Sequence, residues 1–207
     1  MANANQSSPI KKINNFQRVR ELSHKQQSIL SLMLLERMKP NYVLFVDVTE
    51  FPQPYVLDNM MQSLWEKALV KGAKVSLSAM ENKIEEMTPD EADFDMYGVY
   101  PAIYFCTALL TYINGEASED DFDPVAISKI SQGCIVHLIE YQSEDAELDN
   151  ATIREHDLMQ LEMAFLSEAI DWLDGLNFKA FEAKEIRQQA MELAFSAGVT
   201  NIGIQLD

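Results

Sequence analysis

The chain has 207 residues, of which 33 are Asp or Glu and 16 are Lys or Arg, giving a net charge of −17. With 47% hydrophobic and 24% charged residues, it has a globular composition rather than a disordered one, and it is long enough for one large domain. So acidic a surface repels nucleic-acid phosphates and anionic membranes, and neither is expected as a partner.

Residues 1–12 are small and polar without periodicity and read as a disordered extension, with a single domain over 13–207. Met1 to Pro9 contains no apolar run of the kind that starts a secretion signal, so a cytoplasmic location is expected. A first helix is predicted over Asn15–Leu22. Ser23 can cap a second, through Met38, whose run Ile29 to Leu35 leaves almost no polar face. Pro40 is expected to stop it, because proline disfavours helical geometry in the residue before it. Asn41 would cap a short helix, Tyr42–Thr49. Leu57, Met60, Met61, Leu64, Trp65 and Ala68 then fall on one helical stripe that ends before Gly72.

Ser76 or Ser78 begins the next helix, through Met87, and Thr88-Pro89-Asp90-Glu91 reads as the start of a short one. The most apolar helix runs from Gly98 or Tyr100 to Asn114-Gly115. Its apolar stretch of about 15 residues falls short of the roughly 20 needed to cross a bilayer. Asp123-Pro124 starts a helix to Gln142, a long helix is expected over Asn150–Leu173, and Asn177 caps a last one that Gly198 terminates. The fold class predicted is all-α, an up-and-down antiparallel helical bundle of roughly eight helices, five or six of them long.

Charge is uneven along this frame. Residues 1–40 carry seven Lys or Arg against Glu21 and Glu36, whereas 75–174 carry 23 acids against Lys83, Lys129 and Arg154. Cys106 and Cys134 lie in separate helices without a CxxC or a Cys/His cluster, which excludes a thiolate zinc site and reads as two buried free thiols. His137 and Glu140 are three apart on one helix. That order, present once, is a weak metal candidate beside the paired Glu-x-x-His motifs of di-iron bundles, and His137 reads better as a core histidine. The acidic loop 119–123 lacks the spacing of a calcium loop. No nucleophile elbow or glycine-rich phosphate cradle occurs, and no cofactor is implied.

The segment Asp93-Phe94-Asp95-Met96-Tyr97-Gly98-Val99-Tyr100-Pro101-Ala102 exceeds what helix building demands. It places acids, aromatics and a Gly–Pro hinge between helices. Asp93, Asp95, Tyr97 and Tyr100 are therefore candidate binding residues, although a well-specified turn would use the same residue types.

Three separated motifs resemble the YjaG-like family, a gamma-proteobacterial group of unknown function. They are Leu35-Glu36-Arg37-Met38-Lys39-Pro40-Asn41-Tyr42 with Phe45, the 93–102 segment, and Asn201-Ile202-Gly203-Ile204. The resemblance implies an up-and-down helical arrangement and brings no activity, cofactor or partner. It also implies that the motifs could meet, with Arg37 paired to Asp93 or Asp95 as a candidate binding cluster.

The function favoured by the sequence is a cytoplasmic acidic adaptor acting through protein–protein contacts, with a protein partner or self-association as a dimer. The alternative is a metal-binding or enzymatic bundle using carboxylates such as Asp93, Asp95, Glu140 and Glu36. Nucleic-acid mimicry by residues 75–174 is a weaker third reading.

Overall fold

The structure, a computed structural model, describes residues 14–51, 57–118, 122–143 and 148–206. It is all-α among those residues: α1 (Asn15–Glu21), α2 (His24–Thr49), α3 (Leu57–Leu69), α4 (Leu77–Met87), a 3₁₀ turn at Glu91–Asp93, α5 (Val99–Ala117), α6 (Ala126–Gln142), α7 (Asn150–Glu155), α8 (Asp157–Gly175) and α9 (Ala183–Ala194). The expected disordered segment 1–12 and the centre of the acidic loop, 119–121, lie outside the described residues.

The organising element is α2, which packs against α3, α5, α6, α8 and α9. It earns that place through composition, since every residue from Gln27 to Met38 is buried. The Ser23 backbone N–H donates to Gln26 Oε1 at 2.9 Å, satisfying one of the orphan groups at the helix start. Leu30, Leu32, Met33, Leu34 and Leu35 are almost wholly removed from water. Each such side chain contributes about 1.5–3 kcal/mol of transfer free energy. The hydrophobic stripe of α3 is buried as its spacing predicts, with Trp65 at its centre.

Three expected boundaries are overturned. α2 does not stop before Pro40 but continues through it to Thr49, absorbing the separate helix expected from Tyr42. Pro40 removes one backbone hydrogen bond and crowds the preceding turn. That cost is met by burial on both sides of it, at Met38, Asn41, Tyr42 and Phe45. The long helix expected from Asn150 is two helices, α7 and α8, because His156 adopts an extended backbone and its Nδ1 accepts from the Leu158 N–H at 3.2 Å. α9 begins at Ala183 rather than after Asn177. Asn177 closes a turn onto Lys179, and the Glu182 N–H donates to Glu185 Oε2 at 2.8 Å to start the helix.

After α9 the chain turns back over the end of the molecule. Gly198 (φ +67°) and Gly203 (φ +81°) supply left-handed conformations, and a short antiparallel contact joins Val199 to Gln205. At Gly203 a side chain has no space, since a Cβ there would stand 2.7 Å from Leu158 Cδ2. This turn lays residues 200–204 against α2 and α6. Among the described residues no helix is long and apolar enough to cross a membrane.

Candidate functional site

Where α2, α6, α8 and the C-terminal turn meet, polar groups thread through the core. Arg37, 1% exposed, donates from Nη2 and Nε to Glu162 Oε2 at 3.1 and 3.3 Å, and from Nη1 to the Ala194 carbonyl at 2.7 Å. Its guanidinium lies 4.4 Å from the centre of the Phe165 ring. The other oxygen of Glu162 accepts from the Ser131 hydroxyl. Asn201 Nδ2 donates to Ser131 Oγ at 3.2 Å, and Asn41 Nδ2 donates to Asn201 Oδ1 at 2.7 Å. One residue before Arg37 on α2, Glu36 accepts from Trp65 Nε1 at 2.9 Å and pairs with Lys39 at 3.5 Å. A buried charge is tolerated when it is paired and hydrogen-bonded, and at Arg37 the charge is paired with Glu162 and each of its three side-chain nitrogens donates a hydrogen bond.

Directly above this thread the surface changes character. A groove of about 170 Å³ is lined by Asn41, Leu44, Phe45 and Val48 of α2, by Met96, Tyr97, Gly98 and Pro101, and by Ile202 and Ile204. Leu44 is 44% exposed and Val48 61%. The floor is fixed by aromatic packing: Phe94 meets Phe45 edge-on at 4.9 Å, and Phe51 closes the group at 5.7 Å from Phe45. Asp93 and Asp95, on either side of Phe94, point to solvent, as do Asp47 beside Val48 and Glu140 beside Tyr141. None of these four acids has an ion-pair partner among the described residues.

Tyr97 links the groove to an aromatic cluster on α5 and α6. Its ring lies 4.4 Å from that of Tyr141, which is 64% exposed, and 5.6 Å from that of His137. Tyr100 meets His137 edge-on at 4.5 Å, with Tyr104 at 6.1 Å. The Tyr97 hydroxyl and His137 Nδ1 are buried without a hydrogen-bond partner. Burial raises the Tyr97 hydroxyl above the ordinary tyrosine range, and the neighbouring Cys134, Tyr104, Tyr141 and Tyr100 push the same way.

The residues singled out from sequence are thus divided by the fold. Tyr97 lines the groove, Tyr100 backs it through His137, and Asp93 and Asp95 stand at its edge. Arg37 does not pair with either aspartate; its charge is taken by Glu162, and it is closed to any ligand. Glu36, Asp93, Asp95 and Glu140 do not converge, and no group of three His, Cys, Asp or Glu able to hold a metal occurs among the described residues. Cys106 and Cys134 are free and buried.

Sequence reasoning missed Glu162, Ser131 and the two exposed aliphatics. A signal for Glu162 was present: it sits between Met159, Phe165 and Leu166, on the apolar side of its own helix, where an unpaired carboxylate would be costly. Leu44 and Val48 fall at i and i+4 on a helix read as ordinary, and only the third dimension shows that they stay exposed among the described residues.

Comparison with known proteins agrees with this geometry. The profile described as "Protein of unknown function (DUF416)" matches residues 14–205. The uncharacterised protein YjaG of Escherichia coli K12 is 31% identical over 189 residues, covering 90% of this chain and 94% of that protein. YjaG of Salmonella typhimurium LT2 is 30% identical over the same shares. The crystal structure of a DUF416 family protein from Shewanella baltica OS155 superposes with a TM-score of 0.82 at 29% identity, over 94% of this chain and 100% of that one.

Proposed function

The chain belongs to the DUF416 family, and from that premise we propose that it is a protein-binding module whose contact surface is the groove between α2, the 96–101 segment and the C-terminal turn. The observation that carries this reading is hydrocarbon left in water over a rigid floor. Leu44 and Val48 stand exposed beside a concave apolar surface, where a partner's side chain would gain the transfer free energy that folding has not collected. The groove also gathers residues from all three motifs. Its acidic edge, Asp47, Asp93, Asp95 and Glu140, fits a partner segment that presents apolar side chains flanked by Lys or Arg. Such charges would steer association and fix orientation more than they would add affinity. An amphipathic helix with anchors at helical spacing is the form of partner that suits such a groove.

Fluorescence anisotropy with a labelled helical peptide of leucine and lysine at that spacing tests the reading. Binding is expected to the unaltered protein and to be lost in the double variant Leu44→Ser/Val48→Ser, which keeps every acidic residue. Equal binding to both would show attraction by net charge alone and sink the proposal. A leucine/glutamate peptide of the same pattern is expected to bind more weakly. A concentration-dependent dimer in light scattering, dissolved by the same double variant, would replace the foreign partner with a second copy of the chain.

A further inference from the structure

A second recess lies away from the groove, where the start of α1 passes over α6, α7 and α8. It has a volume of about 390 Å³, within the range of small-molecule pockets. Its chemistry contrasts with the net charge of the chain. In a chain with 33 acids, neither Asp nor Glu lines it among the described residues, and its polar wall is built from amide side chains and Arg154. Two of those groups have donors to spare. The Gln132 side-chain nitrogen is buried with no hydrogen-bond partner, and the Arg154 guanidinium has no partner among the described residues, its backbone carbonyl alone accepting from Gln160. The opposite wall, Phe16, Met159 and Met163, is apolar.

Donors without acceptors call for a ligand rich in acceptors, and a guanidinium prefers one with a delocalised negative charge. Arg154, the one cation lining the recess among the described residues, matches a single carboxylate. A multiply charged phosphate would be resisted by the field of a protein at −17, and a bare inorganic anion would leave the methionine and phenylalanine wall unused. We propose that this recess binds small monocarboxylates carrying an apolar tail, with the carboxylate facing Arg154 and the Gln132 amide and the tail lying on Phe16, Met159 and Met163.

The test uses 4-phenylbutyrate and its uncharged isostere 4-phenylbutanamide, followed by amide chemical shifts in ¹H–¹⁵N spectra of the full chain. The acid is expected to perturb residues 14–16, 132 and 150–163, and to bind about tenfold more tightly than the amide, as one charge-assisted pair provides. Arg154→Gln, at an exposed position, should leave the fold intact and abolish that difference. Gln132→Leu should weaken both compounds. Leu44→Ser/Val48→Ser should change neither, which separates this site from the groove. Absence of shifts at millimolar acid, shifts scattered outside the recess, or an unchanged preference in Arg154→Gln would each overturn the assignment and leave a water-filled cleft.

Discussion

On the same helix, α2, two regions place charge and hydrocarbon in opposite ways. At Arg37 and Asn41, polar groups are sunk to 1% and 3% exposure and tied to α8, α9 and the C-terminal turn. Less than two turns on, Leu44 and Val48 carry hydrocarbon into water. The difference is between buried, paired charge and exposed hydrocarbon. Each nitrogen of the Arg37 side chain is hydrogen-bonded within the chain, so that region specifies how the elements meet. Leu44 and Val48 lack the enclosure that their neighbours Phe45 and Val46 enjoy, so their region is a surface still open to a partner.

Removing one side of the buried pair is the hardest test of that contrast. Glu162→Ala leaves a guanidinium in the core with only the Ala194 carbonyl to meet it. The expected loss is about 3–5 kcal/mol of unfolding free energy, measured by urea titration. Converting both partners, Arg37→Met with Glu162→Met, is expected to recover most of it, because a buried pair costs desolvation that an apolar pair does not. A loss under about 1 kcal/mol in the single variant would place Arg37 among surface ion pairs and erase the comparison.

The C-terminal turn comes next in size. Asn201→Ala withdraws the acceptor of Asn41 and a donor to Ser131, both buried, and is expected to cost about 1–3 kcal/mol. Because that turn also supplies Ile202 and Ile204 to the groove, the same variant is expected to weaken peptide binding, whereas Glu162→Ala at a temperature where it stays folded should weaken it less. Equal effects of the two on binding would mean that the buried thread and the groove are one mechanical unit.

These two regions were unequally legible in the sequence. Helices announced themselves through periodicity, and the α3 stripe needed only spacing to be placed. The break at His156 was hidden, because an imidazole that accepts from a backbone N–H two residues on looks in sequence like any polar helix position. The passage of α2 through Pro40 was hidden for a different reason: the residues after it are buried against partners far along the chain, Tyr42 on Phe105 and Phe45 on Phe94. Motif order pointed to the right neighbourhood, since 35–45, 93–102 and 201–204 do assemble, yet it paired Arg37 with the wrong acid. Local pattern carries no information on which of many carboxylates a buried guanidinium reaches 125 residues away.

Alkali offers a probe of how dry the interior beneath the groove is. Burial pushes the Cys106 and Cys134 thiols up to about 12, against roughly 8.5 for a free thiol. The folded state therefore favours the neutral form, and its advantage is complete below about pH 8.5 and lost progressively as pH rises toward 12. Urea midpoints are expected to fall between pH 8 and pH 10, less steeply in Cys106→Ala/Cys134→Ala compared with its own neutral-pH value. The buried Tyr42 and Tyr112 hydroxyls, raised by desolvation, act in the same direction and leave a residual slope. Free thiol reactivity at pH 8 without denaturant would contradict the burial.

The smallest stability effect belongs to the groove, and there the smallness is the point. Leu44→Ser and Val48→Ser replace side chains that are 44% and 61% exposed, so each is expected to change unfolding free energy by no more than about 0.5 kcal/mol. A core position of similar size, Leu34→Ser, would cost several times that, since it removes buried hydrocarbon and strands a hydroxyl. If either surface variant proved as costly as the core one, Leu44 or Val48 would already be enclosed by the chain itself. If both are neutral for folding yet abolish peptide binding, the exposed hydrocarbon is retained at a place where the fold has no use for it, and a partner is the remaining physical reason for keeping it there.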